Sequence, residues 1–228
     1  SDMKEITGME LEVVSGEGGD EDDILIESLP EDTYDTGKEG YLLKADDGGI
    51  HISSNGYTGC LYGTKTLEQV YYTQDGTYSF PKGVTRDFSQ YEVRGVMIDI
   101  ARVPYRLDAL KDIVKTFSFY KINEVHFHLN DNRHSGATTG REDYNNWKNY
   151  KGMFRLESKT FPSLKTDPQQ NAYYNDENGA YGGEPQYTAE EYKDLQQFAM
   201  DCGMNPISEI DAPGHSLLFN RYVRNNIE

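Results

Sequence analysis

Several shortages frame this 228-residue sequence. It contains no apolar run near the ~18–20 residues that a membrane-crossing helix needs, so no span is expected. Its opening, "SDMKEITG", has no apolar signal core, and the natural N-terminus is expected to lie upstream of Ser1. There are two cysteines, Cys60 and Cys202, whose spacing suits neither a zinc site nor a disulfide scaffold; they are expected to be unpaired. Basic residues are scarce: 22 Lys and Arg stand against 39 Asp and Glu, for a net charge of −17. A field of that sign repels phosphate backbones and anionic membrane surfaces, so nucleic acid is not an expected partner, and a neutral or cationic ligand is easier to accommodate. No G-x-S-x-G turn is present, and Ser208 lies within an apolar strand pattern, so a serine nucleophile is not indicated.

Tyrosine, by contrast, is abundant, with 18 residues. Exposed rings can stack on sugar faces, but Tyr also fills half-buried positions in any fold. Two regions differ in pattern. Residues 1–92 read as a small α+β domain. "MELEVV" (9–14), "ILIESL" (24–29), "GYLLKAD" (40–46) and "GIHISS" (49–54) are expected strands, with a hairpin at Asp47-Gly48-Gly49. "YGTKTLEQVYY" (62–72) has helical spacing, and 74–83 reads as loop. Residues 93–228 alternate between the two periods. "VRGVMIDIA" (93–101) is a strand, and Leu107, Leu110, Ile113, Val114 and Phe117 share a helix face. "EVHFHLND" (124–131) is the next strand, followed by a long polar segment at 132–187. Thr188, with Glu191 three residues on, is a capping box that opens a helix ending at Gly203, and "PISEI" (206–210) is the strand after it. Repeated βα units imply a parallel sheet in an α/β fold.

That topology gathers polar groups at one end of the strands. The first strand contributes Asp99 and Arg102, the second His126, His128, Asn130 and Asp131, and the third Glu209, Asp211 and His215. His126 and His128 lie on one strand face and with Asp211 or His215 could form a three-ligand metal site; hydrogen-bonded histidines at a polar strand end are the plainer reading. Asp131 and His215 stand at matching heights on neighbouring strands, where a carboxylate can orient an imidazole and raise its basicity. Arg102 offers five donors suited to vicinal hydroxyls, or to a structural pairing with Asp99.

Five segments in register, "RGVMIDIAR" (94–102), "YKINEVHFHLND" (120–131), "FRLESKTFPSL" (154–164), "YTAEEYKDLQQFAMDCGM" (187–204) and "EIDAPGH" (209–215), resemble glycoside hydrolase family 20, the β-N-acetylhexosaminidases. "EGYLLKADDGGIHISSNGYTGCLYGTKTLEQV" (39–70) is similar to the small α+β domain that precedes the barrel in that family. The resemblance implies a (β/α)8 barrel and a retaining glycosidase that removes terminal β-linked N-acetylhexosamine from glycans. In this class the substrate's own acetamide attacks the anomeric carbon to form an oxazoline. It implies no cofactor and no metal, a glycan or glycoconjugate as partner, and an extracellular or cell-surface location. By position, Arg102 corresponds to the arginine that binds ring hydroxyls, and Asp131 and His215 to a pair supporting the acid/base glutamate. Asp211 and His128 correspond to rim residues that help hold the site.

Some features depart from the family pattern. Val103 follows Arg102 where His is frequent, and a long connection precedes Phe154-Arg155, as in the lacto-N-biosidase-like branch. Within it, Tyr144, Trp147 and Tyr150 could stack on a sugar or pack a loop. The H-x-G-G-D-E motif that carries the Asp–Glu pair is absent from these residues. A full barrel takes roughly 250 residues. The expectation is therefore an α+β domain at 1–92 and, at 93–228, about three βα units of a truncated barrel lacking the catalytic pair. The alternatives are a lacto-N-biosidase that releases a disaccharide and an inactive carbohydrate-binding fragment.

Overall fold

A computed structural model describes residues 2–8, 10–16, 23–74, 77–134, 150–164, 166 and 186–226. The chain divides into two compact units, one formed by Ser1–Glu92 with Phe119–Lys121, the other by Val93–Ser118 with Ile122–Glu228.

The first unit begins with a short helix, α1 (Asp2–Thr7), followed by strands β1 (Ile24–Ser28), β2 (Tyr41–Asp46) and β3 (Gly49–Ser54) and helix α2 (Tyr57–Val70). A small antiparallel pair, β4 (Tyr72–Gln74) and β5 (Thr77–Ser79), precedes β6 (Gly83–Asp87). The sheet order is β1-β3-β2-β6, with β1 parallel to β3 and the other pairings antiparallel. The Asp47-Gly48-Gly49 turn works because Gly49 takes a left-handed φ of 99°. Helix α2 lies close on the sheet because Gly59 and Gly63, one turn apart, present no side chain to it. A Cβ on Gly63 would collide with Ile52, and one on Gly59 with Ser54 and the Gly40 carbonyl. Tyr41, Leu43, Ile52, Tyr62 and Leu67 form the core beneath the helix. Lys121 Nζ donates to Tyr41 Oη (2.8 Å), Thr66 Oγ1 (2.7 Å) and Asp87 Oδ2 (2.8 Å).

Three expectations for this unit are corrected. Residues 10–14 form no strand: the partial alternation of Leu11 and Val13 pairs with no strand among the described residues, and Val13 is 94% exposed. Helix α2 starts at Tyr57 rather than near 62, and Tyr72 belongs to β4. The stretch taken as loop holds β5, and β6 follows it as an edge strand whose largely exposed side chains hide its identity; its pairing with β2 makes it a strand.

The second unit is a three-stranded parallel sheet, in the order β11-β8-β7, with helices between the strands. The strands are β7 (Gly95–Asp99), β8 (Glu124–His128) and β11 (Asn205–Glu209). Helix α3 (Leu107–Phe119) links β7 to β8, and α4 (Ala189–Asp201) leads into β11. On β8 and just beyond it the side chains alternate: Val125, Phe127 and Leu129 are fully buried in the core with Leu110, Val114, Leu195 and Ala199, leaving His126, His128 and Asn130 for the other face. Burying each such aliphatic side chain contributes about 1.5–3 kcal/mol, which is what fixes the strand register. Both halves of the expected capping box form, with Glu191 N donating to Thr188 Oγ1 and Thr188 N to Glu191 Oε2. Gly203, at φ 81°, ends α4 as expected.

The long segment read as polar loop contains a hairpin. β9 (Asn130–His134) pairs antiparallel with β10 (Tyr150–Phe154), whose Gly152 gives passage to Leu218 of a final helix, α5 (Leu217–Asn226). Edge-to-face contacts of Phe154 with Phe219 and of Phe161 with Tyr222 hold that helix. Tyr144 and Trp147 lie outside the described residues, as does the side chain of Tyr150.

Candidate functional site

Parallel pairing in register places Asp99, His128 and Glu209 directly opposite one another at the ends of β7, β8 and β11. This row is the floor of the site. Glu209 Oε2 lies 3.0 Å from His128 Nδ1 and 2.7 Å from His126 Nε2, so two ring nitrogens converge on one oxygen. Both nitrogens lie within contact distance of that oxygen, although neither N–H points straight at it. The other ring nitrogen of His128, Nε2, is 2.6 Å from Asp131 Oδ2. Burial alone would push His128 down, but its bonding to Asp131 and Glu209, with the charges of Glu209 and Asp99, outweighs this and raises it above the usual imidazole value.

Asp131 is the hub. Its carboxylate is fully buried and meets Arg102 Nη2 at 2.5 Å, His128 Nε2 at 2.6 Å and His215 Nδ1 at 2.5 Å, and it accepts from the Asn132 amide at 2.5 Å. Arg102 spans to Asp99 Oδ2 as well (2.5 Å), while Asp99 Oδ1 accepts the backbone amides of Ala101 and Arg102. The Arg102 side chain is 42% exposed, so it meets solvent as well as its two acids.

His215 arrives from the segment after β11. The Ala212–Pro213 peptide is cis, and His215 sits at φ 49°, a left-handed conformation that non-glycine residues adopt uncommonly. Asn130 anchors this loop, donating to the carbonyls of Asp211 (3.0 Å) and His215 (3.1 Å) and accepting from the Asp211 amide (2.7 Å). Ser216 Oγ adds a bond to the Pro213 carbonyl. The imidazole of His215 is about half exposed, with one ring nitrogen bound to Asp131 and Nε2 turned away, 4.0 Å from Asp211 Oδ2. Below, buried Arg155 donates through Nε and Nη2 to the Ala101 carbonyl (3.0 and 2.8 Å), and its amide donates to Leu129 O. It thereby ties β10 to the turn that carries Arg102.

Arg102, Asp131, His128 and His215 thus come together, and Asp211 stands beside them through His215. His128, expected to correspond to a rim residue, is 6% exposed and packed between Asp131 and Glu209 at the end of its strand. Sequence reasoning assigned no site role to Glu209, Asn130 and Arg155. Glu209 follows from the register of the three strands, which the sequence does not supply; the other two act through backbone groups, which leave no sequence pattern. Ser208 points the other way, bonded to Tyr192 Oη and Gln196. The set of His126, His128 and Asp211 or His215 does not form: His126 turns to Glu209 and His215 to Asp131. Among the described residues the cluster with metal-ligand spacing is Asp99, His128 and Asp131. Arg102 already bridges its two carboxylates and supplies the balancing cation. Among the described residues neither Cys60 nor Cys202 forms a disulfide.

Chemically, this is a buried carboxylate that orients an exposed imidazole, next to a half-exposed guanidinium. Residues 1–88 match the model described as glycosyl hydrolase family 20, domain 2, and residues 91–135 and 150–226 match that of the family 20 catalytic domain. The chain belongs to glycosyl hydrolase family 20. It is 31% identical to a beta-hexosaminidase of Akkermansia muciniphila over 179 residues, which cover 78% of this chain and 32% of that protein. It is 28% identical to a beta-hexosaminidase of Vibrio furnissii, covering 85% of this chain and 29% of that protein. In fold it is similar to a Vibrio harveyi exo beta-N-acetylglucosaminidase solved with N-acetylglucosamine, at a TM-score of 0.74 and 24% identity, over 98% of this chain and 32% of that one. A Streptomyces plicatus N-acetyl-beta-hexosaminidase gives 0.68 and 23%, over 95% and 39%. The family 20 chain therefore spans about a third of the length of these relatives. No helix among its described residues is long and apolar enough to cross a membrane.

Proposed function

We propose that this family 20 chain is part of a β-N-acetylhexosaminidase that removes terminal β-linked N-acetylhexosamine from glycans or glycoconjugates with retention of configuration. The observation that carries the reading is the Asp131–His215 contact, a buried carboxylate on Nδ1 that leaves the Nε2 side of the ring turned outward. In the substrate-assisted route the acetamide oxygen displaces the leaving group, which must be protonated as the C–O bond breaks. An imidazole oriented by Asp131 hydrogen-bonds to, and so holds ready, an acid/base carboxylate supplied by residues beyond this chain. Arg102, fixed by Asp99 and Asp131, presents its exposed face to ring hydroxyls of the terminal sugar, and Asp211 lines the same rim. The parallel βαβαβ order of the second unit, with its polar groups at the carboxyl ends of the strands, supports a (β/α)8 barrel of which this chain supplies about three units, from residue 93 on. Glycan substrates of this kind favour an extracellular or cell-surface setting.

A disaccharide-releasing variant of the same chemistry draws support from one feature. The catalytic-domain match breaks at residues 136–149, which in sequence connect β9, the strand bearing Asp131, to β10. Kinetics separate the two readings. The protein encoded by the full gene is assayed against chromogenic N-acetyl-β-glucosaminide and lacto-N-bioside. Release from the first supports the exo-hexosaminidase, release from the second alone the biosidase, and release from neither defeats the glycosidase reading. The 228-residue chain by itself is expected to be inactive, and robust turnover by it would refute the dependence on an outside acid pair.

A further inference from the structure

A group that the family correspondence places only at the rim is, in this geometry, central. His128 is buried, and both of its ring nitrogens face carboxylates: Nε2 faces Asp131 Oδ2 at 2.6 Å, and Nδ1 faces Glu209 Oε2 at 3.0 Å. An ionised carboxylate only accepts hydrogen bonds. A neutral imidazole would turn one lone pair onto a carboxylate oxygen at contact distance, whereas an imidazolium sets a positive N–H edge against each side, aligned on Asp131 and off-line toward Glu209. We propose that His128 is a positioning residue, held as an imidazolium between Glu209 and Asp131, which fixes the Asp131 carboxylate at the angle His215 requires. Glu209 thereby becomes the far anchor of a chain running Glu209, His128, Asp131, His215. The inference rests on the glycosidase reading for its kinetic consequence but not for its charge state.

The surroundings favour the charged ring. From the β7 end come Asp99 and Arg102, from β8 and its extension His126 and Asp131, and from β11 and the following loop Glu209, Asp211 and His215. Four carboxylates are thus set against one permanent cation, Arg102. The His215 ring stands edge-on to His128, with centroids 6.1 Å apart, on the opposite side of Asp131. Two clamps therefore grip one carboxylate, Oδ1 by His215 and Oδ2 by His128 and Arg102. Since His128 is raised relative to its ordinary value of 6.5, its clamp is fully present below that pH and is lost as pH climbs through the raised value. The support of Asp131 therefore weakens on the alkaline side.

The test has two arms. In the first, the histidines of this chain are ¹⁵N-labelled and titrated by NMR, in the wild type and in Glu209→Gln. The account expects His128 to carry protons on both nitrogens at pH 6, to titrate above 6.5 in the wild type, and to fall by about one pH unit in the variant, the size of shift that one close opposite charge produces. A neutral His128 at pH 6, or a midpoint indifferent to Glu209, overturns the clamp. In the second arm, the full-length protein carries His128→Phe, which removes charge and donor, or His128→Gln, which keeps a donor for Asp131 without the charge. Phe is expected to lower kcat about tenfold with KM changed less than twofold, and Gln to recover part of the loss while its alkaline limb no longer follows the His128 titration. If Phe fails to fold by circular dichroism, Gln and Glu209→Gln decide. An active wild type whose kcat and alkaline limb survive the substitutions defeats the positioning role alone. An inactive wild type defeats the glycosidase reading and leaves the NMR arm to judge the clamp.

Discussion

Asp131→Asn is the most informative single change for stability, because the two side chains share a shape and differ only in what their polar atoms can do. Asp131 Oδ2 accepts from Arg102 and His128, and Oδ1 from His215 and the Asn132 amide. Asparagine must place its NH2 at one of these two positions, where it faces donors in either orientation. At least two charge-assisted hydrogen bonds are lost, each contributing about 1.5–3 kcal/mol. Arg102 can rehydrate, since it is 42% exposed, but His128 cannot, since its side chain is 8% exposed. The expected loss is therefore about 3 kcal/mol at least, within the ~3–5 kcal/mol typical of breaking a buried pair. With a urea slope of about 2 kcal/mol/M, the unfolding midpoint of the affected transition should fall by roughly 1.5 M or more. Asp211→Asn is the control: its carboxylate reaches His215 Nε2 only at 4.0 Å and should move the midpoint little, as for other weak surface pairs. A shift below about 0.5 M for Asp131→Asn, or equal shifts for the two variants, would refute the hub role of Asp131.

Two further outcomes can be checked on the same chain. Thr188→Ala removes half of the capping box and should cost about 1 kcal/mol, with faster amide exchange in the first turn of α4; unchanged exchange there contradicts the cap. Asp87 is pushed up by its burial, but the hydrogen bonds and charge of Lys121, with a bond from Tyr41, carry it below the ordinary carboxylate value of 3.8. Its contribution is thus present above that pH and lost as pH falls through the depressed value, so the wild type should lose more stability than Asp87→Asn between about pH 5 and pH 2. Parallel acid profiles for the two proteins would contradict it.

What could be read from the sequence was what short-range codes carry. The capping box at Thr188 and the turn at Asp47-Gly48-Gly49 are local signals, and both elements lie where the residues put them. Arg102, Asp131 and His215 were legible as a group because βα topology brings strand ends to one side of a sheet. The missed elements depend on partners distant in sequence. Strand β6 is mostly exposed and is defined by pairing with β2; β9 and β10 meet across the connection from 135 to 149; α5 is held by the aromatic contacts of Phe219 and Tyr222. The depth of His128 and the role of Glu209 required the register of three strands, which sequence alone does not supply.

The central claim is that Asp131 acts through His215 on an acid/base group rather than by binding sugar. The direct measurement is steady-state kinetics of Asp131→Asn in the full-length protein on a chromogenic N-acetyl-β-glucosaminide. The account predicts kcat reduced about 10²-fold, the low end of general acid–base contributions, with KM nearly unchanged. An unaltered kcat with a raised KM would contradict it.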